Sequence, residues 1–383
     1  MFFRLYNLMR SPRTLNVVSR PNPTVLVPGF GGSLLVDTTQ PYKHFLGKKM
    51  LDNRWLQVQP FNTKMQTRWL FDNDTLAQVD SNGVVYGIKS QNPNIGPHAF
   101  GSVEGVMDVV PELGMLPKVG QNITDGAFKW TYFRKLVDNL RGHGSQLVAA
   151  PYDFRIILDP VERENYFRKL KELIHKHYVQ NMGRHVSIVA HSQGGLLVNW
   201  FLHTVDKEWR DTHVRRVIIM NCPFGGSVYA LEAVEHGAYY LPMCRGMFIE
   251  GLKHSSLSMC IPNEKAFDLH DELINGITIE TYDKTIRNAT TYKIWRDLFM
   301  PYIHFTEAPT DVETIICYST GEETLERIKN DGTSLYSDGD GLVTRKSLTA
   351  HKQTSNVSFV SFRDTNHSKI IEHPDIAMMA VTN

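Results

Sequence analysis

IVAHSQGGLLVNWFL, residues 188 to 202, sets a serine between a histidine and a glutamine, follows it with two glycines and then runs into a long apolar stretch. The run 186 to 190 is β-rich, and the residues from about 194 to 204 read as a helix. Strand, sharp turn and helix are what a nucleophile elbow requires: the turn strains the serine backbone and lifts its hydroxyl above a sheet. Residues two before and two after the serine crowd each other in such a turn, so both must be small. Here they are Ala190 and Gly194, giving A-x-S-x-G, while Gly195 is expected to ease helix packing. The helix N-terminus directs N–H groups at the oxyanion of an acyl transfer, and the Gln193 N–H is one expected donor. His191 adjoins the serine, so its side chain should point away; it is read as a packing residue.

Working outward, similar apolar runs occur at 24–27, 146–150, 217–220, 314–317 and 357–362. Bounded by Gly, Pro or Asn and continuously apolar, they suit strands buried on both faces. Between them lie helical stripes. Tyr166, Phe167, Leu170, Leu173, Ile174 and Tyr178 share one face of residues 161 to 180, with Glu162, Arg163, Arg168, Lys169, Lys171 and Glu172 opposite. Phe133, Leu136, Val137 and Leu140 form a second stripe, ended at Gly142. Strands alternating with helices imply an α/β fold with a mostly parallel central sheet.

A serine nucleophile on this fold needs an acid and then a histidine, in that chain order. SDGDGLVTRKSL follows the run at 314–317, and Asp338 and Asp340 both fall in its glycine-rich loop. Asp340 is preferred, because Asp-x-x-Val sets an apolar anchor three residues on. A plain or calcium-binding turn is the alternative, with too few oxygen ligands for an EF-hand. After the run at 357–362 comes RDTNHSKIIEHP, in which His367 suits the histidine loop and His373, before proline, is the weaker candidate. Ser192, Asp340 and His367 then form the expected catalytic set: nucleophile, orienting carboxylate and general base. VPGFGGS, residues 27 to 33, would supply the second oxyanion donor, the Phe30 N–H. The stretch lacks the Gly-Lys-Ser/Thr ending of a phosphate loop.

Composition sets bounds. The 383 residues carry 41 basic and 40 acidic side chains, a formal charge of +1, which offers no electrostatic case for nucleic acid. The four cysteines, Cys222, Cys244, Cys260 and Cys317, include no CxxC pair, so zinc is not expected and free thiols are favoured over a Cys244–Cys260 bridge. Neither a metal nor another cofactor is required by the chemistry. No apolar run reaches the roughly 20 residues that span a bilayer. Residues 1–20 form a basic leader, with Arg4, Arg10, Arg13 and Arg20 and no acid before Asp37. Arg4 interrupts the apolar stretch of that leader, which makes a poor secretory signal; an interfacial anchor, a transit peptide and a disordered leader stay open.

Several segments together resemble the lecithin:cholesterol acyltransferase (LCAT)-like lipases: VLVPGFGGSLLV (25–36), WLQV (55–58), AAPYDFR (149–155), AHSQGG (190–195), NCPFGGS (221–227), DGDGLV (338–343) and the pair Asn366-His367. The resemblance implies an α/β-hydrolase fold with two insertions. The core is expected at 21–50, 125–225 and 312–383, a membrane-binding insertion at 51–124 and a cap or lid at 226–311. It also implies a serine-dependent lipid acyl hydrolase or O-acyltransferase. Such an enzyme takes a fatty acyl group from a glycerophospholipid through an acyl-serine and passes it to water or a lipid alcohol. Trp55 falls where an aromatic would meet the acyl chain, and Asp153 with Arg155 is expected to be a structural charge pair. Two departures matter: no cysteine precedes Cys222 to pin a lid, and Gln193 replaces the commoner apolar residue after the serine, which could alter the pocket. A phospholipid membrane surface is the expected partner and a peripheral, intracellular location is favoured over secretion. A soluble carboxylesterase and a non-catalytic lipid-binding hydrolase fold are the rival readings.

Overall fold

Apolar runs become strands when both their faces can be covered, and the chain covers them with helices. The computed structural model describes residues 20–39, 42–45, 48–51, 75–91, 93–107, 132–236, 255–286 and 289–382, and the backbone alone at 37, 42–45, 48–51 and 107. The six runs form strands β1 (Thr24–Val27), β2 (Leu147–Ala149), β3 (Val186–His191), β4 (Val214–Met220), β5 (Thr314–Thr320) and β6 (Val357–Arg363). They make one sheet in the order β6-β5-β4-β3-β1-β2, every pairing parallel.

Parallel neighbours need crossovers, and helices supply them. These are α1 (Arg134–Gly142), α2 (Pro160–Gln180), α3 (Gln193–Thr204), α4 (Lys207–His213) and α5 (Val228–His236), while α6 (Pro374–Val381) follows the last strand and packs back on the sheet. Alternation along the strands sorts the core into two layers. Leu26, Val189, Ile218, Met220 and Cys317 pack with Phe133 at the start of α1, with Leu136, Val137 and Leu140 of α1 and with Ile376, Ala377 and Ala380 of α6. Val25, Val27, Ile188, Ala190, Val217, Ile219 and Ile316 face the other way, with Tyr166, Phe167 and Leu170 of α2 and Leu197 and Phe201 of α3. Each fully buried Val, Leu or Ile contributes roughly 1.5–3 kcal/mol relative to exposure.

Two expectations need correction. Burial on both faces holds for β1 and β3, but β6 is an edge strand whose Ser358, Ser361 and Arg363 are exposed. Arg163 is not on a solvated face. It is buried, donates Nη1–H to the Leu158 carbonyl at 3.1 Å and lies 4.2 Å from the Trp200 ring, so its charge is met by a carbonyl and an aromatic face. α1 ends at Gly142, as its stripe implies, and Gly144 (φ 77°) two positions on donates its N–H to the Arg141 carbonyl.

An antiparallel hairpin, Glu322–Ile328 with Ser334–Gly339, lies between β5 and Asp340. It has no apolar alternation to announce it, since its first strand carries three glutamates around the buried Thr324 and Leu325. Asp338 therefore stands in a strand instead of a loop. Within 51–124, a second hairpin, Thr75–Val79 with Val85–Ser90, is tied down by backbone N–H groups: Val85 donates to Asp297 Oδ2 at 2.8 Å and Ile88 to Asp159 Oδ2 at 2.9 Å. The described residues of 255–311 include the short helical turn Ser256–Cys260 and a run of consecutive helical segments, Ala289–Ile294, Trp295–Phe299 and Met300–Thr306. Trp55, Cys244 and the leader apart from Arg20 lie outside the described residues. Cys222, Cys260 and Cys317 are buried and free.

Candidate active site

The turn after β3 carries the strain expected of it. Ser192 has φ 53° and ψ −131°, a combination costly for any residue with a Cβ, and the Met220 carbonyl of the neighbouring strand fixes it by accepting the Ser192 N–H at 2.8 Å. Gly194 sits so close to β1 that a Cβ there would lie 2.2 Å from the Pro28 carbonyl oxygen. A Cβ on Gly195 would lie 2.5 Å from Ile219 Cγ2, so that glycine packs α3 against β4, the next strand over, and not against its own.

Two hydrogen bonds meet at His367, one of them to this serine. His367 Nε2 is 3.0 Å from Ser192 Oγ, and His367 Nδ1 is 2.7 Å from Asp340 Oδ2. Asp340 is fully buried, and its other oxygen accepts the Leu342 and Val343 N–H groups at 2.9 and 2.7 Å. Val343, 3% exposed, anchors the loop. The alternatives are placed elsewhere. Asp338 accepts from the Gly321 N–H and faces Arg345 at 3.6 Å, and His373 caps α6 and packs on Phe362.

Backbone donors flank the serine on two sides. Gln193 N–H opens α3, and Phe30 lies in the loop after β1; among the described residues neither N–H has an acceptor. The Gln193 side chain is absent from the cavity wall. Wholly buried, it accepts from the Tyr152 hydroxyl at 2.9 Å and the Ser256 hydroxyl at 3.0 Å, and donates to the Ser256 carbonyl at 2.7 Å. Its polar atoms fasten the turn to Tyr152 and to Ser256, so its expected effect on the pocket does not arise by direct contact. Arg155 is a bidentate partner of Asp153 (2.6 and 2.9 Å) and also donates to the Ile95 carbonyl.

Ser192 and His367 open onto a cavity of about 320 Å³, within the range of small-molecule sites. Pro223, Tyr229, Ala230, Ala233, Leu257 and Val343 give it a mainly apolar wall. Cys260 also lines it, its thiol pushed up to about 12 by burial and so protonated at neutral pH.

His191 is more than packing. Its Nδ1 is 2.6 Å from the Tyr132 hydroxyl and its Nε2 is 2.7 Å from the His367 carbonyl. Burial, and then the neighbouring His367, hold it well below the ordinary histidine value, so it is neutral. Asn221, with φ 45°, braces the same loop: Nδ2 is 3.3 Å from the His367 carbonyl, and Oδ1 accepts the Ser319 N–H. Tyr132, Asn221 and Ser256 carry no local signal in the sequence; each matters through partners far along the chain.

A six-stranded parallel sheet, with a strained serine after its third strand in chain order, an acid beyond the fifth and a histidine beyond the sixth, defines an α/β-hydrolase. Residues 121–243, spanning the serine turn, match the family model described as lecithin:cholesterol acyltransferase. The chain is 27% identical to the phosphatidylcholine-sterol acyltransferase of Gallus gallus, over 92% of this chain and 87% of that protein. It is 25% identical to the lysosomal phospholipase A and acyltransferase of Bos taurus, over 66% of this chain and 60% of that protein's length. Among solved structures, the mature lipase BlEst2 of Bacillus licheniformis aligns at 13% identity and a TM-score of 0.40, covering 95% of this chain and 94% of that one. Around the serine turn, and at low identity along most of its length, the chain is thus similar to the LCAT-like lipases and acyltransferases.

Proposed function

We propose that the protein is a serine-dependent lipid acyl hydrolase and O-acyltransferase acting on glycerophospholipids. The observation that carries this reading is the hydrogen-bonded line Ser192–His367–Asp340 at the mouth of an apolar-walled cavity. The phospholipase and acyltransferase names of its relatives support the lipid substrate.

In this reading His367 Nε2 takes the Ser192 proton as Oγ attacks the ester carbonyl. The Phe30 and Gln193 N–H groups receive the oxyanion, and Asp340 holds the His367 tautomer and stabilises its imidazolium. Collapse breaks the acyl C–O bond, and His367 returns the proton to the departing lysophospholipid oxygen. Water or a lipid alcohol then gives its proton to His367 and attacks the acyl-serine; the acyl–Oγ bond breaks, His367 returns the proton to Ser192 Oγ, and a fatty acid or a new ester is released. The side chains carry every proton in these steps.

The insertions take roles in the same reading. Tyr229, Ala230, Ala233, Leu257 and Cys260, from the cap at 226–311, would hold the acyl chain. The exposed Leu76, Val79, Val84 and Tyr86 of the 75–90 hairpin support contact of the 51–124 insertion with a bilayer surface. Among the described residues no helix is long and apolar enough to cross a membrane. We place the enzyme as a peripheral membrane protein; the lysosomal relative favours an intracellular organelle.

The test combines a fluorophosphonate probe with mass spectrometry of products from mixed phospholipid vesicles, with and without added lipid alcohols. Labelling lost in Ser192→Ala, together with lysophospholipid and acylated alcohol from the parent protein, is expected. Labelling with turnover of short esters alone and no binding to vesicles would make it a carboxylesterase. Absence of labelling would make it a non-catalytic binder.

A further inference from the structure

The Tyr132 hydroxyl has one proton and stands between two partners. It accepts the Gly29 N–H at 2.9 Å, so its own proton is left for His191 Nδ1 at 2.6 Å. His191 then carries its proton on Nε2, the atom that faces the His367 carbonyl oxygen at 2.7 Å. The other tautomer would set a lone pair against that oxygen. Both side chains are buried, Tyr132 at 8% and His191 at 3% exposure. The Gly29 peptide is pressed against the same turn, where a Cβ would lie 2.8 Å from Ser192 Cβ and 3.3 Å from His191 Nδ1. From its other side the His367 peptide is gripped by the Asp340 carbonyl, which accepts its N–H at 2.7 Å.

One directed line of hydrogen bonds thus runs beneath Ser192 from the loop that carries Phe30 to the backbone of His367. We infer that Tyr132 and His191 are positioning residues: their relay holds the oxyanion loop and the base loop in fixed relation across the nucleophile. Both border the cavity and the His191 ring packs on that of His367 at 4.9 Å, yet the hydrogen bonds of the relay go to the Gly29 N–H and the His367 carbonyl and not to Ser192 Oγ, His367 Nε2 or the Asp340 carboxylate. The inference rests on the roles proposed above for Ser192, His367 and Phe30. Its physical content is directional. The relay needs the phenol proton and a donor at the position of Nε2, whereas packing needs only the two rings.

The experiment measures kcat, KM and thermal melting on phospholipid vesicles for Tyr132→Phe, His191→Leu, His191→Gln and the double variant Tyr132→Phe/His191→Leu. Loosening the base loop by a fraction of an ångström to an ångström lowers kcat by about 10- to 100-fold with KM within about twofold. Glutamine can offer an N–H near the place of Nε2, so His191→Gln recovers most of the loss seen in His191→Leu. The double variant is no slower than the worse single one, because one line is cut only once. Parent-like kcat in folded Tyr132→Phe overturns the relay, as do a His191→Gln as slow as His191→Leu or losses that multiply. If His191→Leu does not fold, Tyr132→Phe, which changes no ring volume, decides alone. Ser192→Ala is the control: full turnover in it sinks the proposed function itself, whereas an inactive Ser192→Ala beside an unaffected Tyr132→Phe sinks the relay alone.

Discussion

Asp340 grips His367 at two points: its carboxylate meets the ring Nδ1 at 2.7 Å, and its backbone carbonyl accepts the His367 N–H at 2.7 Å. One residue thus sets both the rotation of the imidazole and the height of the loop that carries it. Asp340→Asn would keep the backbone contact and lose the charge. We expect turnover to fall by about 10³- to 10⁴-fold with the melting temperature little changed. Asp338→Asn, on the hairpin, should stay within about threefold of the parent, and steady-state kinetics on both variants separates the two carboxylates.

Ser192→Ala and His367→Ala should each lower acyl transfer by at least about 10³-fold while far-UV circular dichroism stays native. Because the two act as a unit, the double variant should be no worse than either alone. His373→Ala, at the cap of α6, should cost stability and leave kcat as it was.

Gly194→Ala tests the close packing of the turn on β1. The added Cβ meets a backbone carbonyl at 2.2 Å, which no side-chain rotation relieves. We expect a loss of about 3 kcal/mol in denaturant unfolding, with turnover falling because the clash displaces Pro28 and the neighbouring Phe30.

Acid should destabilise the protein in a window that histidines set. His191 and His177 are buried, and burial lowers both from the ordinary 6.5. The unfolded chain therefore binds protons that the native state refuses once the pH falls below about 6.5, and stability drops with pH from there downward. Above that value these groups are neutral in both states and contribute no slope. Melting temperatures from pH 8 to pH 5 should show a plateau and then a decline, with a shallower decline in His191→Gln. A melting temperature that rises on acidification would contradict the neutral buried state of His191.

Narrowing the cavity should sort substrates by chain length. Ala230→Phe on α5 fills space beneath residues 255–260. We expect turnover of long-chain phospholipid to fall by about tenfold while a short-chain ester is hydrolysed at nearly the parent rate. Parallel assays on the two esters give the ratio.

The serine turn, the six core strands and the α1 and α2 stripes were legible because each depends on residues a few positions apart. A β-run, a strained turn and a following helix need only local sequence, and a buried strand announces itself by continuous apolarity. Other features were not. The 322–339 hairpin opens on a strand with three glutamates, and Arg163 sits at a helix position that periodicity assigns to solvent. The Gln193 side chain could be read as pocket-lining until Tyr152 and Ser256 were seen to hold it. Trp55 lies outside the described residues, and its part in substrate binding stays a proposal.

By itself, then, the chain order specifies a parallel sheet and names serine, carboxylate and histidine candidates near its strand ends, since strand burial and turn strain are written in neighbouring residues. Which carboxylate meets the histidine, which way the His191 tautomer points and what Tyr132 bridges were decided only in three dimensions. Tyr132 and His191 stand 59 positions apart and His191 and His367 176 apart. A hydrogen bond acts over about 3 Å of space, and it leaves no period in the chain for a reader to count.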